Sequence, residues 1–60
     1  MLFRVCRHGA QRRWVVLLGD GLYGEYADRD QALLDAIDAA QDARDTGHEA
    51  EVWDQAARIY

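Results

Sequence analysis

Trp14-Val15-Val16-Leu17-Leu18 is apolar at all five positions, in a chain whose residues are 30% charged. A β-strand sends successive side chains to opposite faces of its sheet, so a strand with one face in water alternates apolar with polar residues. This stretch does not alternate. Its branched and aromatic side chains suit a strand, with Trp14, Val16 and Leu18 on one face and Val15 and Leu17 on the other. Both faces therefore require cover.

The flanking sequence supplies a sheet and one helix. Upstream, Leu2 to Arg7 alternates with strand periodicity until His8-Gly9-Ala10-Gln11 breaks it. Downstream, Gly19-Asp20-Gly21 carries residues that tolerate a positive φ in a tight hairpin, and Leu22 to Ala27 follows as a third strand. Asp28 stands three residues ahead of Gln31, a pair suited to capping the first free amides of a helix. Leu33, Ala36, Ile37, Ala40 and Ala43 then recur at helical spacing, and Gly47 can take the left-handed conformation that ends a helix. Ala50 to Asp54 reads as a fourth strand, with Arg58-Ile59-Tyr60 available as a short fifth. The pattern predicts an α+β fold spanning residues 1–60 as a single domain. Its sheet is antiparallel, three- to four-stranded and in the order β-β-β-α-β, with one helix packed on one face.

One helix covers one face. The large residues on its inner side are Leu33 and Ile37, the rest being alanines, so the helix is expected to lie close to the sheet. Leu2, Cys6, Tyr23 and Trp53 are expected to join the uncovered side, giving an apolar patch of the kind that marks an interaction surface. The candidate interface residues are Trp14, Val15, Leu17, Tyr23 and Trp53. A second copy meeting the first about a two-fold axis is the simplest cover; the competing reading folds Ala56 to Tyr60 back over the patch. A chain of this length has a thin core and commonly recruits a disulfide, a metal or another subunit.

Cysteine usage and composition narrow the setting. Cys6 is the single cysteine, which rules out an internal disulfide and suits a reducing cytoplasm. Met1-Leu2-Phe3 ahead of Arg4 is too short for the apolar core of a signal peptide, so a cytoplasmic protein without membrane contact is expected. Lysine, serine, asparagine and proline are absent, a bias resembling that of GC-rich bacterial genomes. The net charge is −4 but unevenly placed. Arg4, Arg7, Arg12 and Arg13 face only Asp20 in the first third, and the other ten acids face Arg29, Arg44 and Arg58.

Arg7, Arg12 and Arg13, set beside Trp14, form a candidate anion contact, since arginines next to aromatics can hold phosphates and stack on bases. Nucleic acid is therefore a possible partner. It is not the favoured one, because the rest of the chain is acidic and no lysine strip or helix-turn-helix pattern accompanies the arginines. Asp35, Asp38, Asp42 and Asp45 form a ridge on the helix without the loop geometry of a calcium site. Cys6, His8 and His48 match no paired-ligand spacing, so no metal is expected. A chain this small has little material for a concave pocket, and neither a catalytic residue, a cofactor nor a small-molecule ligand is expected.

The order of elements resembles a family of small bacterial proteins known as domain of unknown function 2188. The correspondence runs through Arg13-Trp14 at the start of strand two, Asp28 with Gln31-Ala32 at the helix start, and Ala56-Ala57-Arg58-Ile59 at the close. The family pattern has Gly-Trp and Asp-Gly-Arg-Ile where this chain has Arg13-Trp14 and Ala56 to Ile59. The resemblance implies the same fold and carries no catalytic residue. Asp28 to Ala40 is also similar to the capped, alanine-rich helix of the N-terminal domain in HicB-type antitoxins, though the glycine and cysteine signature preceding that helix is missing here. Together these readings lead to the expectation of a non-enzymatic, self-associating interaction module, with an antitoxin-like or nucleic-acid-binding regulator as the alternative.

Overall fold

In the computed structural model, which describes residues 1–9 and 13–60, the apolar stretch of strand two lies one place in from the edge of a five-stranded sheet. The strands are β1 (Leu2–His8), β2 (Arg13–Leu18), β3 (Gly21–Tyr26), β4 (Glu51–Asp54) and β5 (Ala57–Arg58), with helix α1 (Arg29–Asp45) between β3 and β4. Their order across the sheet is β3-β2-β1-β4-β5.

The fold is α+β, as the periodicity predicts, but the sheet is mixed. β4 lies parallel to β1, with Leu2 opposite Glu51 and Phe3 opposite Val52; the other pairings are antiparallel. The reason is the crossover. β3 and β1 run the same way, α1 returns the chain to the end where β3 began, and β4 sets out again in the original direction.

Local chemistry fixes the turns. Gly19 opens the β2–β3 hairpin at φ +59 while Asp20 keeps an ordinary φ, the arrangement suited to a two-residue turn with glycine in first place. Gln55 takes the same role between β4 and β5 at φ +57, so the closing hairpin forms without a glycine. Asp28 accepts a hydrogen bond from the Gln31 amide at 2.8 Å, capping α1 where expected. At the other end the Gly47 amide donates to Arg44 and that of His48 to Ala43. This pair of bonds is the Schellman ending, with Gly47 at φ +92.

The core lies between α1 and one face of the sheet. Phe3, Val5, Val16 and Val52 meet Ala32, Ala36, Ala40 and Ala43, with Ala50 beside them. Small helix residues allow close approach, and each buried valine contributes about 1.5–3 kcal/mol of transfer free energy. Trp14, Leu18, Tyr26, Leu33, Ile37 and Tyr60 pack around this centre, partly exposed. The Arg29–Asp54 ion pair ties the start of the helix to the end of β4.

Candidate interaction face

The other face of the sheet has no helix over it. Cross-strand partners share a face, so the register assigns its members. Leu2, Arg4, Cys6 and His8 of β1 join Arg13, Val15 and Leu17 of β2, Leu22 and Glu25 of β3, Glu51 and Trp53 of β4, and Arg58 of β5. The C-terminal residues do not fold back across them. The amides of Ile59 and Tyr60 both donate to the Val52 carbonyl at the sheet's edge. Tyr60 turns to the helix side, where the Arg44 guanidinium lies 4.2 Å from its ring centre. Arg44 also donates to the Ala50 carbonyl at 2.6 and 2.9 Å.

Of the expected interface residues, Val15, Leu17 and Trp53 are on this open face, together with Leu2 and Cys6. Two are not. Trp14 is opposite Arg7 and packs against the helix-side core. Tyr23 is displaced by a bulge: Val16 pairs with Gly24 and Leu17 with Leu22, leaving Tyr23 as the extra residue. Its ring meets Phe3 edge-on at 5.5 Å between centroids, placing it on the helix side. Alternation carried along the whole of β3 misassigns Tyr23, because the bulge puts Gly24 to Tyr26 out of step with Gly21 and Leu22, and Tyr23 falls on the side that Leu22 sets rather than the one Glu25 sets.

Val15 is 6% exposed, so it offers little contact area. Leu22, absent from the expected set, is 60% exposed beside Leu17. A hollow of about 250 Å³ opens on this face, lined by Leu2, Arg4, Leu17, Gly19 and Asp20. At one rim the Trp53 indole donates to Glu51 at 2.7 Å, and Arg58 stands 3.7 Å from the same carboxylate. At another, Arg13 and Glu25 are 3.9 Å apart. Arg4 sits between Leu17 and Trp53 at the centre, exposed. Among the described residues, ion pairs engage Arg13, Arg29 and Arg58 and none engages Arg4.

The candidate anion contact is divided. Arg7 shares the helix side with Trp14 and Arg13 shares the open face with His8, so the two project from opposite sides of the sheet. Arg12 lies outside the described residues. Cys6 and His8 share the open face, whereas His48 lines a separate cleft of about 390 Å³ between the helix and the sheet, with Met1, Phe3, Tyr23 and Ala43. Among the described residues no cluster of three His, Cys, Asp or Glu side chains is placed to hold a metal ion, and no helix is long and apolar enough to cross a membrane.

No family model matches the chain, and no curated protein or solved structure matches it.

Proposed function

We propose that this protein is a non-enzymatic interaction module that associates with a second copy of itself through the open face of its sheet. One observation carries the reading: Leu2, Cys6, Leu17, Leu22 and Trp53 occupy a sheet face that neither the helix nor the C-terminal residues cover. The partly buried free thiol of Cys6 at this face also suits a reducing compartment, in keeping with a cytoplasmic setting.

The size of the face sets the strength. Five strands at about 4.8 Å and about 20 Å of strand length present on the order of 500 Å² in projection. That is below the roughly 800 Å² per partner of a standard stable complex. The association is therefore weak and depends on concentration.

Sedimentation equilibrium from micromolar to millimolar protein tests it. The wild type is expected to pass from monomer to dimer, and Leu17→Asp and Leu22→Asp to remain monomeric with unchanged circular dichroism. Leu22 is exposed enough for its substitution to spare the fold, whereas Val15→Asp would place a charge in a buried position. A wild type that stays monomeric throughout this range overturns the proposal.

A further inference from the structure

The centre of the open face holds an arginine where an apolar contact alone would place a leucine. Arg4 is flanked by Leu17 and Trp53 across the strands and by Leu2 and Cys6 along its own. A second copy laid over this face removes its guanidinium from water, and a buried charge needs a partner. Asp20, in the β2–β3 turn, lines the same hollow as Arg4 without forming an ion pair to it, and the two carboxylates that the strands carry on this face differ. Glu51 already accepts from the Trp53 indole and stands beside Arg58. Among the described residues Glu25 pairs with Arg13 alone, at 3.9 Å, and both of those side chains are about half exposed or more.

Glu25 lies two strands across from Arg4 and two residues along, on the order of 12 Å away at usual strand and residue spacings. Among the described residues Arg4 forms no ion pair with it within the chain. We propose that two copies meet face to face about a two-fold axis passing between Val15 and Leu17, so that Arg4 of each copy pairs with Glu25 of the other. This rests on the self-association proposed above and fixes its register.

The same rotation brings other residues together without further adjustment. Leu17 falls opposite Leu22 of the other copy and Val15 opposite its Cys6, so the most exposed apolar residue of the face is covered. The strands of the two sheets cross at roughly 70°, near the orthogonal class of sheet packing. A register pairing Arg4 with Glu51 instead would cover Leu2 and Trp53, which the proposed one leaves at the margin, but would put the more exposed Leu22 and its neighbour Leu17 beyond the overlap and ask a carboxylate that already has two partners to take a third.

Charge reversal with mixing tests the register. Arg4→Glu and Glu25→Arg are each expected to weaken self-association at least tenfold, because each homodimer then holds like charges at two symmetric places. An equimolar mixture of the two is expected to restore dimer to near the wild-type level. In the mixed dimer both contacts join opposite charges, and the rescue shows that each variant is folded. Arg4→Gln and Glu25→Gln, which remove attraction without adding repulsion, are expected to weaken the dimer less. If wild type dimerises but the reversals do not weaken it, or mixing restores nothing, this register is overturned while self-association stands. If wild type does not dimerise at all, both fall.

Discussion

Tyr26 lies over Gly24, where a β-carbon would meet its hydroxyl at 2.6 Å and the ring at 3.0 Å; only glycine leaves room for the ring. Burial, and then the adjacent Asp35 carboxylate as acceptor and like charge, push the Tyr26 phenol up to about 12. A phenol raised in the folded state keeps its proton there after the unfolded chain has lost it. Its contribution to stability is complete below pH 10 and is lost as the pH rises toward 12. The urea midpoint is expected to fall across this window more steeply in wild type than in Tyr26→Phe, and equal slopes would refute the assignment. Legibility is uneven at this scale. The faces of Val15, Val16 and Leu17 follow from alternation, and so does that of Trp53. Tyr23 does not, because the bulge in β3 arises from fitting Leu22, Tyr23 and Gly24 against Val16 and Leu17, and no pattern within β3 announces it. The centrality of Arg4 is equally hidden, since it depends on β4 taking the place beside β1.

The helix is held to the sheet by what it lacks. Ala32, Ala36, Ala40 and Ala43 form its buried row, with Ala32, Ala36 and Ala40 fully inaccessible, and larger residues at these positions would lift it from Val5, Val16 and Val52. Ala36→Leu is expected to destabilise the protein by about 1–3 kcal/mol through overpacking, read as a lower urea midpoint with an unchanged slope. A neutral effect would mean that the helix floats. Both helix ends are legible in the sequence because capping is local: Asp28 and Gly47 act through amides within a few residues. The direction of β4 is not, for Ala50 to Asp54 has the same periodicity whichever neighbour it takes. The closing hairpin falls between these cases, formed by Gln55 in a conformation that usually belongs to glycine.

Across the molecule, acidic charge gathers on the helix. Asp30, Asp35, Asp38, Asp42 and Asp45 stand exposed on the helix, while Arg4, Arg13 and Arg58 stand on the open side of the sheet. The proposed self-association would link stability to assembly, since whatever binds only the folded form stabilises it in proportion to the logarithm of concentration. The wild-type Tm is expected to rise between micromolar and millimolar protein while that of Leu17→Asp stays constant; parallel behaviour would separate stability from association. The pairing of Leu2 with Glu51 has one more consequence. The central strand receives its second neighbour from 49 residues further along the chain, Leu2 pairing with Glu51, so a nascent chain emerging from the ribosome can form the meander of β1 to β3 but must wait for β4 before its sheet is complete. Closing that long loop is then the slow event of folding, and until it happens β1 remains a bare edge on which other nascent chains can add.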